Sequence, residues 1–423
     1  MSELASEPLT RRVHSGRAGL VSLFAADFVS TLGTWLSIVA MPWLVLINTG
    51  SAAKMGLIAV AEWAPLLFTS VLSPPLVDRL GLKLTSVATD VGSALAIGAI
   101  AAAPRLGFAP LVALVAVAGF LRGGGDRAKN VLLRPMAKGA GVQMVRATGV
   151  YETMNRMAQL IGAPMAGLLI FWFGTRTAIW LDAISFLLCG LLVAALVHPN
   201  EADASKAGPA QTYLAALRAG ARHLFADRLL VSMTAAMFLL NVFSHAGIAV
   251  FIPLWVSDVL RSPAGLGLVL GGYAVGAVLG SLLFTALAPR LPQFTTFAVG
   301  VLIAGAPRLL VLGLSERLAV VLVVSFGCGM AACAGAPILS ALLFERVPAA
   351  LQTRVFGLVV GICIAGFPIG GLLGGLAVTA FGLRTAILVA AFSCLALTLA
   401  CLEWCRRGRV QDPVSLSSAA QPT

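Results

Sequence analysis

Apolar runs of about twenty residues, separated by short polar stretches, recur from one end of the chain to the other. A helix needs roughly that length to cross a bilayer. The pattern predicts twelve spans, near 19–47, 54–76, 84–103, 109–131, 147–173, 177–197, 229–256, 264–288, 294–314, 318–344, 354–380 and 384–404. Between spans 6 and 7 the stretch Pro199–Asp227 turns polar and Ala-rich, and Thr212–Phe225 reads as an amphipathic surface helix. The expected order is a cytoplasmic tail (1–18), a six-helix half (19–198), a cytoplasmic central loop (199–228), a second six-helix half (229–405) and a cytoplasmic tail (406–423). The last of these is Ser/Gln/Pro-rich and is expected to be disordered. The run after residue 18 is too long for a signal-peptide core and is read as a retained first span.

The two halves share a sequence. Phe173-Gly174-Thr175-Arg176-Thr177-Ala178-Ile179 returns as Phe381-Gly382-Leu383-Arg384-Thr385-Ala386-Ile387, an offset of 208 residues (381 minus 173). The same offset takes Arg146 to Arg354, Gly149 to Gly357, Gly162 to Gly370 and Gly167 to Gly375. Duplicated halves in so apolar a chain imply a transporter whose halves rock about a shared site.

Composition agrees with the pattern. Of the 423 residues, 59% are hydrophobic and 11% charged, against roughly 25% charged in an average soluble domain. Mean hydropathy is +0.97. The net charge of +12 would point to nucleic acid in a soluble protein. Here the basic residues lie between apolar runs, where topology places them, and no nucleic-acid partner is expected. Of the 29 Lys and Arg residues, 21 fall on the side of the termini and 6 on the other, with Arg156 and Arg308 within spans. That asymmetry predicts cytoplasmic termini. The seven cysteines lack zinc or disulfide-framework spacing and read as small buried hydrophobes.

Charges inside spans are costly and therefore informative. Asp27, Ser30, Thr31 and Thr34 form a polar stripe on span 1, and Glu152, Asn155, Arg156 and Gln159 form another on span 5. Glu62 lies in span 2, Asp90 in span 3, Arg122 and Asp126 in span 4, and Asp182 in span 6. The second half has Asn241, Ser244 and His245 in span 7 and Arg308 in span 9. Asp90, Asp126 and Asp182, nearer span ends, divide evenly between interhelical ion pairs and function. Asp27, Glu62, Arg122 and Arg156 are expected to line a central cavity, with Arg122 or Arg156 pairing Asp27. His245 reads first as a helix-packing residue. Most charge sits in the first half, which implies ion coupling there and apolar substrate contacts in the second.

The loop Ser73–Lys83 resembles the signature loop of the major facilitator superfamily, Gly-x-Leu-x-Asp-Arg-x-Gly followed by basic residues. Leu76, Asp78, Arg79, Gly81 and Lys83 fit; Pro74 replaces the first Gly, and Leu82 a basic residue. An acidic–basic pair there implies a cytoplasmic latch between halves. Gly162-Ala163-Pro164-Met165-Ala166-Gly167 resembles the Gly-x-Pro-x-x-Gly motif of facilitator antiporters. With Pro368, Gly370 and Gly371 of span 11 it is read as close packing and a flexible seam between halves. Ser30-x-x-Gly33, Thr49-Gly50-Ser51, Pro65-Leu66-Leu67, Trp180-Leu181-Asp182-Ala183-Ile184-Ser185-Phe186 and Arg354-Val355-Phe356-Gly357 are similar to the drug-exporter branch that includes macrolide-efflux and siderophore-export proteins.

The resemblance implies an all-α membrane protein of the major facilitator fold: twelve transmembrane helices in two pseudo-symmetric halves. It implies export of a small amphiphilic compound by proton antiport, with no cofactor or metal. The setting expected is a bacterial cytoplasmic membrane, with the lipid bilayer and the substrate as partners and the chain working as a monomer. A second reading is an importer or facilitator of an organic anion, since Arg122, Arg156, Arg308 and His245 would make a cavity positive. A polytopic membrane enzyme is the weaker alternative: the chain has no metal-ligand spacing, nucleophile elbow or Walker loop.

Overall fold

The computed structural model describes residues 9–72, 81–103, 106–197 and 210–411. They form helices almost throughout: α1 Leu9–Thr49, α2 Ala52–Leu72, α3 Leu82–Ala102, α4 Phe108–Gly139, α5 Met144–Phe173, α6 Thr175–Leu196 and α7 Ala210–Ala226. The second set is α8 Arg228–Leu260, α9 Ala264–Leu287, α10 Gln293–Leu314, α11 Leu318–Arg346, α12 Ala349–Phe381 and α13 Leu383–Gln411. Twelve of these are long and apolar enough to span a bilayer. In a bilayer the backbone must satisfy its own polar groups, which is why so apolar a chain is helical.

Four features depart from the sequence reading. Span 4 was expected to stop at 131, yet α4 continues to Gly139. The final helix runs through Arg406 to Gln411, where disorder was expected, and Arg406 there binds Glu403 at 2.9 Å. Helix α8 contains two π-helical segments, Gly247–Phe251 and Val256–Leu260. Helix α11 is interrupted by a turn at Cys333–Ala334.

The chain divides into two compact units, Met1–Gly50 with Leu57–Gly208 and Ser262–Gly271, and Ser51–Gly56 with Pro209–Arg261 and Gly272–Thr423. In the first, Leu23, Ala26, Leu132, Met136, Tyr151 and Cys189 belong to one apolar core. In the second, Leu230, Met233, Phe297, Ile338, Leu343 and Val355 do.

The sequence repeat has a structural basis. Gly174 and Gly382 end α5 and α12 with φ of 82° and 77°. A side chain is strained in that backbone region, so glycine is favoured at both turns. Two residues later Arg384 donates from Nε to the carbonyl of Gly313, at 3.1 Å, near the C-terminal end of α10. A cation at that end is favoured because the last carbonyls of a helix lack partners.

The motif glycines and prolines pack closely. A Cβ on Gly162 would lie 2.7 Å from Trp35, and one on Gly370 would lie 2.0 Å from the Val242 carbonyl, so equivalent glycines seat α5 on α1 and α12 on α8. Gly167 stands against Gly267, and the Gly371 carbonyl would meet a Cβ on Gly56 at 2.4 Å. Pro164 and Pro368 lie inside α5 and α12.

Candidate functional site: a buried charge network in the first unit

Helix α4 organises the network through its glycines. A Cβ on Gly119 or Gly123 would come within 2.4 Å of the carbonyls of Glu62 and Leu66, so α4 lies against the backbone of α2. Arg122, between those glycines, reaches Glu62 with Nη1 to Oε1 at 3.4 Å. A Cβ on Gly125 would lie 2.6 Å from Thr89 Oγ1, so α4 also approaches α3 closely. Lys129 then reaches Asp90 with Nζ to Oδ1 at 2.9 Å. Arg122 and Lys129 are seven residues apart, two helical turns, and so share a face. One helix thus holds two cations, each paired with an acid from a different neighbour.

Two further carboxylates complete the network. Asp182 on α6 accepts from Ser37 on α1 and from its neighbour Ser185, and Gly33 makes room there. Asp27 on α1 is 5% exposed. The side chains of Tyr151 and Asn155 on α5 hydrogen-bond to it, and Lys129 and Asp126 act on it electrostatically. Thr31, one turn along, donates to Asn155 Oδ1 at 2.9 Å. Cys189 donates to Asp90 Oδ2 at 3.2 Å.

Among the described residues of this unit, the buried ionisable side chains outside cysteine and tyrosine are therefore four carboxylates, Asp27, Glu62, Asp90 and Asp182, and two cations, Arg122 and Lys129. Among the described residues, Asp27 and Asp182 have no ion-pair partner. The second unit differs: among its described residues the buried ionisable side chains outside cysteine and tyrosine are His245 and Arg308, with no carboxylate.

The structure corrects several expectations. Arg122 pairs with Glu62, not Asp27. Arg156 is exposed, as are Glu152 and Gln159, and it makes no pair with Asp27 among the described residues. Asp27 and Glu62 are both buried, at 5% exposure. The cation beside Asp27 is Lys129, one of the 21 basic residues assigned by sequence to the side of the termini; it is 1% exposed. Of the even choices, Asp90 is an ion-pair residue, whereas Asp182 is held by hydroxyls.

In the second unit Asn241 donates to the Cys363 carbonyl at 2.9 Å, tying α8 to α12. His245 is buried and stacks on Phe367 with ring centroids 4.4 Å apart. The Arg308 guanidinium lies 4.6 Å from the centre of the Tyr273 ring. Of the proposed latch, Asp78 and Arg79 lie outside the described residues. Gly81 precedes α3 with φ of 80°, and Lys83 is half-buried.

The family model described as Major Facilitator Superfamily matches residues 23–261 and 234–422. The chain belongs to this superfamily. It is 28% identical over 397 residues to a protein of Mycobacterium tuberculosis named multidrug efflux pump Tap, covering 92% of each chain. To a protein of the same name from Mycolicibacterium fortuitum it is 26% identical over 385 residues, covering 89% of this chain and 93% of that one. Among solved structures, a bacterial homologue of the human lysosomal transporter Spinster matches with TM-score 0.75 at 15% identity, covering 97% of this chain and all of that one (100%). The nucleoside transporter NupG matches with TM-score 0.73 at 14% identity, covering 91% of this chain and 98% of that one. These likenesses bear on fold.

Proposed function

We propose that this facilitator exports small amphiphilic compounds across a bacterial cytoplasmic membrane by exchange for protons. The observation that carries export is the similarity, over nine-tenths of the chain, to proteins named as multidrug efflux pumps. The charge network supports the coupling. Four buried acids against two buried cations leave two negative charges uncompensated when all are ionised, and uncompensated charge away from water is costly. Protons relieve that excess, and Asp27, which like Asp182 has no ion-pair partner among the described residues and which feels the charge of Lys129, is assigned the exchange. Lys129 pairs directly with Asp90 and acts more weakly, through space, on Asp27. When Asp27 is protonated, Lys129 is committed to Asp90; when Asp27 is ionised, the cation is shared. A proton therefore alters the packing between α1, α3 and α4, and a ligand or proton that favours one arrangement shifts the population of states.

The basic asymmetry supports cytoplasmic termini and a cytoplasmic central loop; with Arg122 and Lys129 removed as buried charges, 19 basic residues still oppose 6. The chain is read as a monomer in the bilayer, requiring no cofactor, metal or nucleic acid. Asp78 and Arg79 are proposed as a cytoplasmic latch on their sequence alone, and the Pro164 and Pro368 segments as a flexible seam. The direct test is reconstitution into proteoliposomes with an imposed pH gradient and a panel of amphiphilic dyes. Gradient-dependent dye movement coupled to proton flux is expected; movement indifferent to the gradient would contradict the proposal.

A further inference from the structure

Arg308 sits six residues before the end of α10, about 9 Å along the helix. It is 5% exposed and lines a crevice of the second unit with Phe243, Ser244, Gly247, Ile252 and Leu309. Among the described residues, its Nε and Nη2 have no hydrogen-bond partner. Those two N–H groups lie on one edge of the guanidinium and form the fork that fits a carboxylate or phosphate with two parallel bonds. The Tyr273 ring covers the cation without supplying an acceptor to that edge. None of the described acids of α8–α13 is buried.

The repeat carries no cation at the equivalent helix position, although Arg176, from another element, lines the sister crevice. At the 208-residue offset Arg308 maps to Ile100. At 211, the difference between the starts of corresponding spans (Arg17 and Arg228, Leu82 and Gln293), it maps to Ile97. Both isoleucines are buried, at 3% and 5% exposure. A crevice of the first unit is lined by Leu44 and Ile100, which the 208 offset takes to Ile252 and Arg308. The second unit thus carries an arginine where its sister position carries a hydrocarbon. Opposite it, α8 loosens into the π segment Gly247–Phe251, whose first residue lines the crevice. Such bulges are frequent at functional sites.

We propose that this crevice binds the oxyanion of an amphiphile: a carboxylate or phosphate on the Nε/Nη2 edge of Arg308, and its apolar part against Phe243, Ile252 and Leu309. If the occupant is transported, this names a substrate class and rests on the exporter reading; if it is a resident anionic phospholipid, the same chemistry holds its headgroup. The full chain in phosphatidylcholine nanodiscs is titrated with dansyl-undecanoate and with its methyl ester. The carboxylate is expected to bind the wild type at least about tenfold more tightly than Arg308→Ile, with the ester binding both equally. Arg308→Lys, which keeps the charge, is expected to retain part of the difference and guards against misfolding of the first variant. Equal carboxylate binding by wild type and a folded Arg308→Ile would overturn the proposal, as would equal affinity of the wild type for acid and ester. Added phosphatidylglycerol that displaces the dansyl acid identifies a lipid headgroup as the native occupant, and gradient-driven efflux of the acid identifies a substrate. Intact acid binding with no efflux of any dye would contradict the exporter reading while leaving the anion site standing.

Discussion

Lys129 of α4 meets Asp90 of α3 at 2.9 Å with both side chains buried, and the same cation acts on Asp27 of α1. One lysine thus links three helices of the first unit. Removing one member of a buried pair strands the other, which costs roughly 3–5 kcal/mol, whereas replacing both with apolar groups is often near neutral. Lys129→Met alone should therefore lower thermal stability strongly, and Lys129→Met with Asp90→Leu should recover most of the loss. Scanning fluorimetry on purified protein reads both; a single variant as stable as the wild type would show that the pair is not needed for packing.

Gly123 tests how α4 delivers its charges. A Cβ there would lie 2.4 Å from the Leu66 carbonyl, a backbone atom that cannot step aside. Gly123→Ala should push α4 from α2, lengthen the Arg122–Glu62 contact and destabilise by roughly 1–3 kcal/mol. A melting temperature unchanged by the substitution would mean that the helices have room to spare.

Topology is open to direct labelling. Glu316, after α10, and Arg222, on α7, are both exposed in the structure. In intact cells an impermeant maleimide should modify Glu316→Cys and leave Arg222→Cys unmodified until the membrane is opened. The reverse pattern would invert the proposed orientation.

The spans were legible because a bilayer imposes one length and one composition on every helix, and the Phe173–Ile179 and Phe381–Ile387 copies marked the duplication. Charge pairing was less legible. Arg122-Gly123-Gly124-Gly125-Asp126-Arg127-Ala128-Lys129 falls at the end of the expected span 4, where Lys129 counts among the basic residues on the side of the termini. In the structure its glycines let α4 touch α2 and α3, the helix runs on to Gly139, and the lysine is buried. The spacing of seven between Arg122 and Lys129 was the available signal. Tyr151 and Ser37, which hydrogen-bond Asp27 and Asp182, carried none, because a lone hydroxyl in a span does not declare its partner. The first π segment of α8 also left no mark, in an apolar run without a proline or charge at 247–251.

If Asp27 carries the coupling proton, Asp27→Asn should separate substrate binding from coupling. Asparagine keeps the size and can still bond Tyr151 and Asn155, but it cannot ionise. In proteoliposomes with an imposed pH gradient, Asp27→Asn is expected to bind dye as the wild type does, yet fail to drive it uphill. Uphill export by the variant with unchanged pH dependence would contradict the account and pass the coupling role to Glu62 or Asp182.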